Sequence, residues 1–235
     1  MSPVREFVRR SLWEMVPRDQ RQTPTALRRR QLVTIGFVLV GAVVLGFTLR
    51  TDPGSQQFYL LTLVLAAVWT VGAFASGPLH LGRIARGDGL RRPVLSPILL
   101  GALLVAVFVA GALVIREIPF ADPLVSQIRS VLRYTEETPI ALLVVVTALN
   151  GIAEELFFRG AGYAAVTRHP VTVTSVAYTV ATLATGNVML GFAAVLLGVV
   201  VGLQRRASGG ILAPVLTHLT WSLSMLFLLP LIFLS

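Results

Sequence analysis

The 235-residue chain contains no cysteine and no lysine, and only 13% of its residues are charged. Without cysteine there are no disulfides, thiolate metal centres or cysteine nucleophiles, so a metal would have to be held by His, Asp, Glu or amide ligands. The scarcity of charge, beside 55% hydrophobic residues and a mean hydropathy of +0.79, excludes an ordinary soluble domain of 25.3 kDa. Internal repeats, low-complexity tracts and domain linkers are also lacking, and no cleavable signal peptide is evident. About thirty polar and basic residues precede the first apolar stretch and no small-residue cleavage site follows, so that stretch is expected to act as an uncleaved signal anchor.

What is present is a series of long apolar runs, at about 31–49, 58–78, 97–115, 139–158, 170–185, 188–204 and 210–234. Each is near the length a bilayer demands. They predict an all-α fold, a polytopic transmembrane helix bundle of about seven spans. Six to eight are compatible, because the fifth run is short and only Gly186-Asn187 turns the chain after it. The economical division is a basic tail over 1–30 and one integral membrane domain over 31–235.

A net charge of +9 invites a nucleic-acid reading, but the placement of the charges argues for topology. All 20 cations are arginine. Eight precede the first run, and Arg83, Arg86, Arg91, Arg92, Arg159, Arg168, Arg205 and Arg206 follow the second, fourth and sixth. That leaves Arg50, Arg116, Arg129 and Arg133 on the other side. The positive-inside rule then places the N-terminus in the cytoplasm and the C-terminus outside a multi-pass cell membrane protein. Membrane lipids with anionic headgroups, and not nucleic acid, are the expected partners of these arginines. Two further segments have interfacial amphipathic spacing. One carries Val4, Phe7, Val8, Leu12, Met15 and Val16, with Arg5, Arg9 and Arg10 elsewhere on the wheel. The other carries Leu124, Ile128, Val131 and Leu132, bounded by Pro123 and Glu136-Glu137. Both are expected to pack on the bundle as surface helices.

Of 11 acids only Glu154 and Glu155 fall inside a run, and of three histidines only His218 does. An intramembrane carboxylate costs a few kcal/mol even on lenient scales and marks function by default. With Arg159 taken as the boundary of the fourth span, Glu154 and His218 both lie roughly 8 to 12 Å below the cytoplasmic surface. Neighbours on a helix point about 100° apart, so the two glutamates serve different faces. Glu155 reaches Arg159 at i,i+4 and is assigned a mainly structural role. Glu154 shares the face of Asn150 and Gly151 and is the working carboxylate, a candidate general base. The alternative is that both glutamates only satisfy buried polar groups and arginines.

The Glu-Glu-x-x-x-Arg motif at Glu154, Glu155 and Arg159 resembles the CAAX protease and bacteriocin-processing family of intramembrane endopeptidases. So does the downstream string from Gly198 through Arg205-Arg206 and Gly209-Gly210 to Ala213-Pro214-Val215-Leu216-Thr217-His218. The resemblance covers about residues 139–225. It implies that Glu154 activates water, that Glu155 and Arg159 support it, and that His218 is the second of two histidines that bind a metal or orient the water. The implied substrate is a membrane-attached or lipid-modified peptide or protein, cut near the cytoplasmic interface.

Two positions depart from the family pattern. The aromatic-x-x-x-His motif is Tyr178-Thr179-Val180-Ala181-Thr182 here, and the His-x-x-x-Asn motif is His218-Leu219-Thr220-Trp221-Ser222. Threonine is a poor zinc ligand, and a serine hydroxyl offers one donor where Asn offers an amide. Zinc or another divalent metal on Glu154 and His218 is therefore one alternative. The other is a metal-free route in which Thr182, Ser222 and Asn150 support the oxyanion and Asn187 is a turn residue. A non-catalytic membrane scaffold or immunity-type relative with a degenerate site is the competing function. A proton- or solute-coupled transporter is disfavoured, because no inverted repeat is present.

Overall fold

A computed structural model describes residues 2–17, 20–86 and 89–234. Among these, six helices are long and apolar enough to cross a bilayer: α2 (Pro24–Thr48), α3 (Gln56–Ser76), α4 (Leu95–Ile115), α6 (Ile140–Ala165), α8 (Val188–Ser208) and α9 (Leu212–Phe233). Six lies within the expected six to eight; the fifth expected run forms a shorter apolar helix, α7 (Pro170–Leu183), that is not among them. At 1.5 Å per residue α7 is about 21 Å long, against a hydrocarbon thickness of about 30 Å. Its ends are fixed by chemistry: His169 is left-handed (φ 51°) before Pro170 at the first turn, and Gly186 (φ 78°) turns the chain into α8. The chain is a multi-pass, all-α membrane protein.

Side-chain caps set several starts. Thr23 Oγ1 accepts from Ala26 N at 3.2 Å with Pro24 following, so α2 begins ahead of the apolar run and carries Arg28, Arg29 and Arg30 on its first turns. Ser55 Oγ accepts from Phe58 N at 3.1 Å to open α3. The N-terminal segment forms α1 (Pro3–Val8), which continues as a π-helical turn over Arg9–Trp13. Its Glu6 pairs with Arg9 and Arg10, and Trp13 lies 5.0 Å from the Arg206 guanidinium of α8. The second amphipathic segment is α5 (Asp122–Glu137), which includes Glu136 and Glu137 instead of stopping before them. It packs on the bundle as expected: Val125 and Leu132 meet Phe233 of α9, and Tyr134 donates to Thr51 O at 2.8 Å.

The segment between α3 and α4 contains an antiparallel pair that hydrophobic periodicity did not suggest, β1 (Ile84–Arg86) and β2 (Gly89–Arg91), in the register Ile84↔Arg91. Just before it, residues 80–83 thread across the turn between α8 and α9. Ile211 N donates to His80 O at 2.9 Å, Leu212 N to Leu81 O at 3.0 Å, and Arg83 N to Ser208 O at 2.8 Å. A Cβ on Gly210 would sit 2.0 Å from Gly82 N, so the crossing needs glycine there.

The core is aromatic. Trp69 of α3 lies 4.7 Å from Phe157 and 5.1 Å from Phe158, and Phe158 lies 5.1 Å from Tyr178 of α7. Gly41 of α2 admits the indole, since a Cβ there would come within 2.0 Å of it. The outer faces stay apolar and exposed, for example Leu32, Ile35, Leu39 and Val43 along α2, as a lipid-facing surface requires.

Candidate active site

Helix α6 is regular from Ile140 to Glu154, π-helical from Glu155 to Gly162, and regular again to Ala165. Single π turns inside α-helices frequently accompany functional sites. The span therefore runs beyond Arg159. This corrects the sequence reading, which set Arg159 at the boundary: its side chain is 0% exposed, deep in the bundle. Glu154 consequently lies about 16 Å along the helix axis from Ala165, deeper than expected.

Glu155 is likewise 0% exposed, and its Oε1 meets two partners. Arg159 Nη1 donates to it at 3.1 Å, the i,i+4 pair that the spacing predicted. His218 Nδ1, from α9, lies 2.8 Å from the same oxygen. A carboxylate engaged by arginine offers only acceptors, so Nδ1 carries the proton of this bond and Nε2 is the ring nitrogen left outside it. Gly151 faces this ring: a Cβ there would lie 3.5 Å from His218 Cδ2 and 3.7 Å from Nε2, in ordinary van der Waals contact.

Arg159 ties in further helices. Its Nη2 donates to Gly198 O of α8 at 3.3 Å, its guanidinium lies 4.7 Å from the centre of the Tyr178 ring, and its carbonyl accepts from Arg205 Nε at 2.6 Å. A Cβ on Gly198 would come within 3.2 Å of Nη2, so a small residue there permits the contact. Four helices thus supply partners to the buried pair, while Glu155 Oε2 and Arg159 Nε make no hydrogen bond among the described residues.

Glu154, partly exposed, accepts from the Tyr178 hydroxyl at 2.8 Å through Oε2. The remaining sequence candidates are less connected. Thr182 spends its hydroxyl on Tyr178 O of its own helix, at 2.9 Å. Asn150 Nδ2 donates to Val146 O at 3.0 Å and Thr62 O at 3.4 Å, while its Oδ1 makes no hydrogen bond among the described residues. The Ser222 hydroxyl, one turn beyond His218, is also without a hydrogen bond among them. Asn187 caps α8, accepting from Leu190 N at 3.0 Å, and donates to Gln127 O of α5 at 2.8 Å.

The structure therefore gathers Glu155, Arg159 and His218 into one network and joins Glu154 to it through Tyr178. Sequence reasoning treated Tyr178 only as the aromatic of a motif. Its signal was a phenol in an apolar helix, a polar tip that wants a partner when buried.

A catalytic zinc commonly takes three protein ligands. No group of three His, Cys, Asp or Glu among the described residues is arranged to hold a metal ion. Glu155 Oε1 is committed to Arg159 and His218, and the hydroxyl at 182 to its helix; Glu155 Oε2 has no hydrogen bond among the described residues, but Glu155 is not arranged with Glu154 and His218 as a three-ligand site. The residues do not fit a standard zinc centre.

Residues 136–224 match the family model described as Rce1-like, type II CAAX prenyl endopeptidase Rce1-like. The match takes in every motif position named above and coincides with the region of the family resemblance; it covers less than half of the chain. No curated protein and no solved structure matches.

Proposed function

We propose that this membrane protein, whose residues 136–224 are similar to type II CAAX prenyl endopeptidases, is an intramembrane endopeptidase with Glu154 as its general base. The single observation that carries the proposal is the network in which Glu155 holds both Arg159 and His218 while the adjacent Glu154 keeps one oxygen without a hydrogen bond among the described residues. In the reaction, Glu154 takes a proton from water and the resulting hydroxide attacks the scissile carbonyl carbon. The tetrahedral intermediate collapses as the amine leaves, and the proton on Glu154 passes to the amine nitrogen. Glu155 and Arg159 orient His218, whose Nε2 accepts a hydrogen bond from water or substrate. Ser222, one turn beyond His218 and with its hydroxyl unbonded among the described residues, donates to the oxyanion.

The substrate class is a membrane-attached or lipid-modified peptide or protein, presented at the arginine-rich face of the bundle. With Arg159 buried, fifteen arginines still fall on that side against four on the other, which supports a cytoplasmic N-terminus and an outside C-terminus. A second reading, a non-catalytic scaffold, draws on one observation: Thr182 stands at the motif's histidine and its hydroxyl is bonded within its own helix.

Purified protein incubated with membrane-anchored peptides distinguishes the two. Loss of cleavage by roughly 100- to 10,000-fold in both Glu154→Gln and His218→Ala is the outcome expected of the peptidase. Absence of cleavage by wild type, with peptide binding that survives Glu154→Gln, would establish the scaffold.

A further inference from the structure

We infer that Tyr178 is the positioning residue of Glu154, its phenol filling on α7 the role that Thr182 does not perform. The inference rests on the peptidase reading for its kinetic consequence, but its physical content stands on geometry. Of the two glutamates, Glu155 is held through Oε1 by two side chains, whereas among the described residues the hydrogen bond of Glu154 is the one from the Tyr178 hydroxyl. The residue one turn later on the same face of α7 cannot share the task, because the Thr182 hydroxyl donates to Tyr178 O.

The phenol is itself immobilised, as a positioning group must be. Tyr178 is 8% exposed, its ring meets Phe158 edge-on at 5.1 Å, and its face lies 4.7 Å from the Arg159 guanidinium. Helix α8 leaves space for it: a Cβ on Gly198 would touch Tyr178 Cδ1 at 3.5 Å while pressing on Arg159 Nη2 at 3.2 Å. A phenol donates a single proton, here to Oε2, so it fixes the carboxylate plane and leaves Oε1 to address a substrate water. Through the same ring Tyr178 is stacked on the arginine that neutralises Glu155, so one side chain couples the working carboxylate to the supporting network. Nothing in this arrangement makes Tyr178 touch substrate. Its effect runs through Glu154.

Tyr178→Phe retains the ring, the stacking and the packing and deletes one hydrogen bond to a charged acceptor. The expected result is a fall in kcat of about 10- to 100-fold with KM within about 2-fold, because the lost bond orients the base and does not bind substrate. A purely structural tyrosine would leave that split absent. Replacement of Tyr178 by 3,5-difluorotyrosine, which keeps shape and changes donor strength, should alter kcat and again spare KM. It also serves if the phenylalanine variant folds poorly.

Infrared difference spectra decide the contact without any turnover. The carboxyl band that disappears in Glu154→Gln should move in Tyr178→Phe. A wild type that cleaves nothing would end the peptidase reading yet leave this spectroscopic test intact. An unmoved band, or a Tyr178→Phe enzyme with unchanged kcat, would overturn the inference.

Discussion

Arg159→Met removes a guanidinium of zero exposure and leaves Glu155, also of zero exposure, with only the imidazole of His218 for company. Breaking a buried ion pair from one side costs about 3–5 kcal/mol, because the surviving charge is desolvated without its counterion. The same substitution forfeits the bond to Gly198 O and the stacking on Tyr178, so the upper half of that range is the better expectation. For a chain of this size, 1 kcal/mol corresponds to roughly 2–4 °C in Tm, so Arg159→Met should melt about 8–20 °C below wild type. The double variant Glu155→Leu/Arg159→Met removes both charges and should recover much of the loss, since apolar replacement of a complete buried pair is often neutral or stabilising. The assay is reversible unfolding in one detergent at fixed pH, read by circular dichroism, with the single and double variants compared as a cycle. If Arg159→Met lay within about 1 kcal/mol of wild type, or if the double variant were no better than the single, the pair would be solvated and the enclosed network described here would be wrong.

Two further outcomes test the packing and the electrostatics at the arginine-rich end. Gly41→Ala drives a methyl to within 2.0 Å of the Trp69 ring and should cost about 1–3 kcal/mol by overpacking, whereas Gly36→Ala on the same helix meets nothing within 4 Å and should be neutral or slightly stabilising; equal effects would refute the tight α2–α3 contact. For His80, partial desolvation followed by the charges of Arg205 and Arg30 holds the imidazole below its usual 6.5. The unfolded chain then binds the proton more readily, so this group's contribution to stability is intact above pH 6.5 and is lost as pH falls below that value and through the lower folded one. An NMR titration of the His80 ring with a midpoint at or above 6.5 would remove the basis for the effect.

The spans were legible because hydropathy over eighteen or more residues is a strong signal with few competing explanations. Equally legible was the Glu155–Arg159 pair, since i,i+4 spacing is a local property of the helix. Contacts between distant segments were not. Nothing in the 63 residues separating Glu155 from His218 announces that Nδ1 will meet Oε1. The π-helical stretch that carries Arg159 into the bundle has no agreed sequence signature, so Arg159 read as a boundary residue. Asn187 read as a turn residue and is one, but its amide also clasps α5 by donating to Gln127 O. The β1–β2 pair escaped notice because its three-residue strands are too short to display an alternating pattern.

In a bilayer every polar group buried without a partner is paid for directly, so the position of Glu154 cannot be separated from the folding of its neighbours. Its tyrosine sits on α7, the shortest apolar helix, which is too short to set its own depth by hydrophobic matching alone. Depth is set sideways instead. Gly198 and Gly202 of α8 bring α7 close: a Cβ at 202 would meet Val171 at 3.0 Å, and one at 198 would meet both Arg159 and Tyr178. Arg159 in turn spans α6, α8 and α9, through Gly198 O and through the carboxylate that holds His218. A bulky residue at 198 would therefore act at two places at once, wedging α8 from α6 and tilting the phenol away from Glu154. The glycines of α8 are as much a part of the site's geometry as the residues that carry its charge.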